Sequence, residues 1–321
     1  MAFADFLQGA RNFCAGKPTY TEDEYPDLTG RVYIVTGGCT GIGYYVSKFL
    51  LLKNAKVWIA ARSQAKIDSG IAQLKKEVPN ADVDFIVVDF GDLASIKPGV
   101  QKFLDSPDQL NGVVHNAGVM TPPAGSLSKQ GYEQQLGVNN IGPFLLQKFL
   151  DDKLIATAKT APANSVRILW VSSSAAGGMA PKNGGINWKD INFKKGGAAW
   201  TIYGQSKAIN IYEAILWAKK HLDSGVVSLT CDPGNIRSEL QRHMTGFQGF
   251  IVDKILYPTP YGAYTELFGV LHPSFTTEDS GTFIIPFGHR GRVREDIKVA
   301  ANGENGEKLW NWLDEQVKPY A

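Results

Sequence analysis

In the stretch WTIYGQSKAINIYE, Tyr203 and Lys207 stand four residues apart. On a helix, positions i and i+4 lie one above the other, so a phenol and an ammonium would face one site. A free phenol titrates near ~10, too high for useful proton exchange at neutral pH. A nearby cation favours the phenolate and lowers that value. The pair therefore reads as a general acid toward a reacting oxygen, and as the base in reverse. Ile209, Ile211, Ile215 and Leu216 give the same helix a core side. Upstream, the run RILWVSSSAAG ends in three hydroxyls, Ser172, Ser173 and Ser174. A serine at such a strand end can hold a substrate oxygen and stabilise charge developing on it.

These groups need a scaffold that brings strand ends against a helix face. Val32, Ile34 and Val35 form a short apolar run of strand type. Gly37 and Gly38 break it, and a helical pattern (Ile42, Tyr45, Val46, Phe49, Leu50) starts at once after Gly43. Strand, glycine turn and helix open a nucleotide-binding α/β unit, because bare backbone approaches a diphosphate closely and helix amides point at it. Thr40 and Ile42 join Gly37, Gly41 and Gly43 as expected cofactor contacts.

Further strands are predicted at 56–61, 83–89, 112–115, 166–172, 226–232 and 282–286. Helices are predicted at 64–77, 92–104, 132–157 and 200–221, the third bent at Gly142-Pro143. Alternating strand and helix predict an α/β, Rossmann-type doubly wound fold with a mainly parallel seven-stranded sheet and helices on both faces. One such domain is expected over 27–290, with an N-terminal helical extension and connector at 1–26 and a C-terminal helical extension at 291–321.

In such sheets a dinucleotide lies across the carboxyl ends of the strands. An Asp or Glu after the second strand would bind the adenosine ribose of NAD, but this chain has Ala61-Arg62-Ser63. A guanidinium pairs bidentately with a 2′-phosphate, whereas a carboxylate repels it. Lys66, one turn on, adds positive charge. The expected cofactor is NADP(H), against the plainer reading of Arg62 as a helix cap.

The spacing Gly37-x-x-x-Gly41-x-Gly43 departs from the G-x-G-x-x-G of most dinucleotide folds. With Y-x-x-x-K, His115-Asn116-Ala117-Gly118 and the Pro233-Gly234 turn, it makes the chain resemble the short-chain dehydrogenase/reductases over residues 27–287. HNAGVMTPP, GVNNIGPFLL and YGQSKAINIYE are similar to the fungal retinol-dehydrogenase-like branch. The resemblance implies adenine contacts at Asp89 and Phe90, a backbone support at Asn116, and nicotinamide-side contacts at Pro233 and Ile236. It implies that Lys207 bonds the nicotinamide ribose, and that Asn139 kinks its helix and holds a water toward Lys207, with Asn140 the second choice. Matching the family's V-S-S selects Ser173, and matching Ser-x-x-Gly selects Ser174. Strand register favours Ser173, since one residue flips a side chain across the strand. His115 replaces the family's first Asn and reads as structural. The gap before Tyr203 exceeds the family's usual separation, implying an inserted loop over the site that carries Met179, Trp188 and Phe193.

The implied activity is reduction of a lipophilic or aromatic aldehyde or ketone by NADPH, with Tyr203 as acid. A substrate loop at about 235–261 would supply Leu240, Met244, Phe247, Phe250 and Ile251 as apolar walls. Two rivals are a non-catalytic NADP(H)-binding sensor or scaffold, and a membrane-peripheral lipid, retinoid or sterol reductase. The second would use Phe3, Phe6, Leu7, Ala10 and Phe13, which share one helix face.

Over 321 residues, apolar content of 44% and charged content of 20% fit a soluble globule. Lys and Arg number 33 against 31 Asp and Glu, so no basic field points to nucleic acid. Cys14, Cys39 and Cys231 lack C-x-x-C spacing, which argues for a reducing, cytoplasmic setting with no disulfide framework and no metal site. No apolar run reaches the ~18 residues of a membrane span. Monomer and homodimer both stay open, because the C-terminal EKLWNWLDEQV could cover the long helices through which such folds pair.

Overall fold

A computed structural model of the protein describes residues 15–237 and 256–321. The N-terminal amphipathic stretch and the apolar walls at Leu240, Met244, Phe247, Phe250 and Ile251 lie outside the described residues.

Strand β1 (Val32–Thr36) is buried along its whole length. Its side chains alternate between two cores, as the period of a strand requires. Val32 and Ile34 join the core on one sheet face, Tyr33 and Val35 the core on the other. Each such aliphatic side chain contributes roughly 1.5–3 kcal/mol when fully buried. After β1 come α1 (Gly41–Leu52), β2 (Lys56–Ala61), α2 (Gln64–Glu77), β3 (Asp82–Val87), α3 (Ile96–Leu104) and β4 (Gly112–His115). The second half holds α4 (Gly142–Ala158), β5 (Arg167–Val171), α5 (Ala199–Lys220), β6 (Val227–Cys231), α6 (Thr259–Leu271) and β7 (Phe283–Ile285). Helices α1, α2 and α6 cover one face of the sheet, and α3, α4 and α5 the other.

Among the described residues the strand order is β3-β2-β1-β4-β5-β6-β7 followed by one further edge strand, eight where the sequence predicts seven. The extra strand, β8 (His289–Arg290), is a two-residue exposed edge that pairs antiparallel with β7. Two residues are too few to show a period, which is why the sequence hides it. All other pairings are parallel. The order reverses between β1 and β4, so the crevice for a ligand opens at their carboxyl ends.

Ahead of α4, one α-turn (Gln134–Leu136) runs into a π-turn (Gly137–Ile141). The break in helical register therefore falls at this π-turn, not at Gly142-Pro143. Pro143 sits in the first turn of α4, where a missing N–H is tolerated. Gly142 serves close approach: a Cβ there would lie 2.7 Å from the Phe90 Cβ.

The loop before α5, predicted to lie over the site, is tied down along part of its length. It is pinned to α5 and to α7 (Glu295–Asn302). The Tyr212 hydroxyl donates to the Gly184 carbonyl at 2.6 Å, and the Gly184 amide donates to Asp296 at 2.8 Å. Trp188 packs against the core with Lys308 Nζ 4.3 Å from its ring centre. The C-terminal helix α8 (Glu304–Val317) buries Leu309, Leu313 and Val317 in the core that α4 and α5 share. Its Trp310 meets the Phe144 ring edge-on at 5.0 Å, and Glu307 pairs with Lys220 at 2.6 Å. The EKLWNWLDEQV stretch thus packs on both long helices.

Candidate active site

The glycine turn is locked to the β4 exit. Asn116 Nδ2 donates to the Thr36 carbonyl at 2.8 Å, and the Ala117 amide donates to Thr36 Oγ1 at 2.9 Å. Gly43 admits no side chain: a Cβ would stand 2.5 Å from Asn116 Nδ2 and 2.6 Å from the Gly37 carbonyl. Gly41 has φ +57, and a Cβ there would meet no protein atom within 4 Å. Helix α1 begins at this point with no side-chain cap and no acid in its first turn. Its first amides are therefore available to an anion.

These residues border a cleft of about 400 Å³ whose walls include Thr40, Ile42, Arg62, Lys66, Asp89 and Phe90. The α2 cap is Ser63, whose Oγ accepts the Lys66 amide at 3.4 Å, so capping does not account for Arg62. Asp89 has a local task that its sequence context hides. Its Oδ1 accepts the Gly91 amide at 2.8 Å, and its own amide donates to Ser95 Oγ at 2.9 Å. Ile236 and Ile42 close over Gly262, where a Cβ would lie about 3 Å from both side chains. Pro233 is buried at the β6 exit. His115 lies away from the cleft walls, stacked on Trp170 at 4.2 Å and bonded through Nε2 to Gln147 at 2.8 Å.

The three serines after β5 divide their partners. Ser172 Oγ donates to the Lys207 carbonyl at 2.7 Å, Ser173 bonds the Tyr203 hydroxyl, and Ser174 bonds Asp232. The ambiguity between Ser173 and Ser174 is thereby a difference of partners. Lys207 Nζ lies 5.8 Å from the Tyr203 ring centre and donates to the Val171 carbonyl at 2.8 Å. Gly118, a cleft wall, would carry a Cβ 3.7 Å from Lys207 Nζ and 3.2 Å from Asn139 Oδ1. Asn139, inside the π-turn, brackets the next residue: Oδ1 accepts the Val119 amide at 2.8 Å, and Nδ2 donates to the Val119 carbonyl at 3.0 Å. Asn140 instead points its amide to the Ser206 carbonyl at 2.8 Å. The structure thus brings Asn139, Ser173, Tyr203 and Lys207 to one end of the cleft.

Comparison with known proteins identifies the family. The family model for short chain dehydrogenases matches residues 31–248. A short-chain dehydrogenase/reductase of Phomopsis amygdali is 40% identical over 317 residues, covering 95% of this chain and 94% of its own. One from Emericella nidulans is 39% identical over 313 residues, covering 96% and 99%. The chain belongs to the short-chain dehydrogenase/reductase family. Among solved structures, an uncharacterised protein from Mycobacterium paratuberculosis superposes with a TM-score of 0.69 at 22% identity, covering 93% of this chain and 97% of its own. The Pseudomonas aeruginosa RhlG/NADP complex gives 0.65 at 23% identity, covering 82% and 97%. At such identities these two matches show the fold alone. Members of the family are oxidoreductases that use nicotinamide cofactors.

Burial governs the protons of the site. It lifts the Tyr203 phenol above its ordinary value; the Ser173 hydrogen bond pulls the other way, and Asp232 adds to the rise. Burial lowers Lys207 to about 8, against the pull of neighbouring acids. The expectation that Lys207 brings the phenol down toward neutrality is therefore not met in the free protein. Asp232, pushed up to about 6 by burial, is a site residue that sequence reasoning missed. Its signal was an acid directly before a Pro-Gly turn.

Glu266 is fully buried with neither carboxylate oxygen partnered, and burial lifts it to about 8. Burial also raises Glu213 well above the carboxylate range. A carboxyl whose folded pKa is raised adds stability that is lost as pH climbs from the unfolded to the folded value. His115, lowered to about 4, works in the opposite sense, but only below its unfolded value of 6.5. Glu77 and Asp279, lowered to about 2, stay ionised in both states above that point. Between pH 6.5 and 8, Tm is therefore expected to fall as pH rises, and Glu266→Gln should flatten the slope. Calorimetric Tm values that stay level or climb across that window would refute the assignment.

Proposed function

We propose that the protein is an NADP(H)-dependent carbonyl reductase acting on lipophilic or aromatic aldehydes and ketones. The observation that carries this reading is the meeting of Tyr203, Ser173 and Lys207, with Lys207 Nζ 3.7 Å from a Cβ placed on Gly118 of the cleft wall. The cradle fits a dinucleotide diphosphate, because Gly43 excludes a Cβ and the first amides of α1 carry no side-chain cap. Arg62 and Lys66, which line the cleft at the β2 exit, would take the 2′-phosphate. The NADP named with the Pseudomonas aeruginosa structure belongs to that protein and supports the reading by analogy.

When bound, NADPH supplies the hydride. The chain's own residues handle the oxygen and its proton. Tyr203, kept protonated by burial, is in the donor form that a carbonyl oxygen requires. Ser173 fixes the Tyr203 hydroxyl and offers its own to the same oxygen; it is steadied by the Ala175 amide at 3.2 Å. Lys207, held by the Val171 carbonyl, would stabilise the phenolate left after proton transfer.

A screen of NADPH oxidation across aldehydes, diketones, steroids and quinones tests the proposal. Turnover with at least one class is expected, and Ser173→Ala should cost about 10²-fold in kcat. Ser174→Ala should cost far less, because its hydroxyl serves Asp232. NADPH binding without turnover on any class would favour a sensor or scaffold instead.

A further inference from the structure

Behind Lys207, helix α5 buries Asn210 and Glu213 against Asn140 of the π-turn, all three at 2% exposure or less. Asn210 Nδ2 donates to the Asn139 carbonyl at 2.9 Å and to Glu213 Oε2 at 2.8 Å. Asn140 Nδ2 donates to the Ser206 carbonyl and also reaches Glu213. These donations settle which amide atom is nitrogen, since the flipped amides would set oxygen against oxygen. Three buried acceptors then remain without a partner: Asn140 Oδ1, Asn210 Oδ1 and Glu213 Oε1. Ionised, Glu213 has no hydrogen to offer either amide oxygen. A proton on Glu213 is the one donor its own chemistry can supply.

We propose that Glu213 is held as the neutral acid, donating from Oε1 to a neighbouring amide oxygen, and that it positions the catalytic groups from behind. The linkage is continuous. Pro143 has no N–H to offer the Asn139 carbonyl four residues earlier, so Asn210 supplies the donor, and Glu213 holds Asn210. Asn139 in turn brackets Val119 in the cleft wall and donates to Ser206 Oγ at 3.0 Å. Ser206 Oγ donates to the Tyr203 carbonyl at 2.8 Å. The cluster thus bolts the π-turn to the helix bearing Tyr203 and Lys207, and holds the cofactor wall in register with both. Burial is the main force keeping the proton on; the Asn210 and Asn140 hydrogen bonds, and after them the Lys207 charge, pull the other way.

The kinetic half of the test rests on the reductase reading, and the spectroscopic half does not. The infrared spectrum of the whole protein should contain a carboxylic-acid C=O band that disappears in Glu213→Gln. Glu213→Leu should lower kcat by about tenfold to 10²-fold and weaken NADPH binding in a fluorescence titration, with the carbonyl KM little changed. Glu213→Gln, which keeps one donor and one acceptor, should restore both quantities to near wild type. The proposal fails if no band is lost, if Gln is as impaired as Leu, or if Leu loses Tm alone. Should Glu213→Leu not fold, Asn210→Ala replaces it in the kinetic and binding arm with the same expectation.

Discussion

Tyr203→Phe is expected to lower kcat for carbonyl-dependent NADPH oxidation by about 10³-fold, near the middle of the range for a lost general acid. The substitution removes one oxygen and leaves the ring, which packs edge-on against Trp200 at 6.0 Å. Ser173 loses a partner but keeps the Ala175 amide. The fold should therefore be little disturbed, and both Tm and NADPH affinity should stay near wild type. That split matters, because a loss of kcat accompanied by a collapse in Tm would indicate a packing defect. If turnover survives within a few-fold, the proton comes from elsewhere and the assignment of Tyr203 is wrong.

Cofactor choice should move nearly as far with Arg62. The wild type is expected to prefer NADPH over NADH in kcat/KM, and Arg62→Ala to cut that preference by about 10- to 100-fold, the range for one charge-assisted hydrogen-bonded contact. The change should appear in the NADPH KM, leaving the NADH parameters near their starting values. Arg62 is exposed, so salt screens it, and the effect should grow at low ionic strength. Arg62→Asp should reverse the preference outright, since a carboxylate accepts ribose hydroxyls and repels a phosphate. A wild-type ratio below one would end the NADP(H) assignment at the first measurement. Lys66, which shares the cleft wall, is expected to soften the effect of Arg62→Ala.

Much of this architecture was legible in the chain because it is written in local periods. The β-branched run at Val32–Thr36, the glycines that follow and the apolar stripe of α1 each announce their element within a few residues. The i,i+4 placement of Tyr203 and Lys207 is a property of the helix alone. Local period did not reveal the two-residue strand β8, nor the π-turn that displaces the expected bend from Gly142-Pro143. Nor did it reveal that Gly184, Asn187 and Trp188 of the loop before α5 are drawn against α5, α7 and the core.

By itself, then, the sequence determined the fold class, the order of the elements, the family and the residues able to transfer a proton. The tertiary structure alone decided that Ser173 faces Tyr203 while Ser174 faces Asp232. It also decided that Asp89 braces its own turn, and that Glu213, on the same helix as Tyr203 and Lys207, is bonded by Asn210. Above all it shifted the proton affinities, pushing Tyr203, Asp232 and Glu266 up and Lys207 down. Faces and turns follow from neighbours along the chain. A proton's affinity follows from the solvent and charge excluded by segments distant in sequence, and these come together only when the fold is complete.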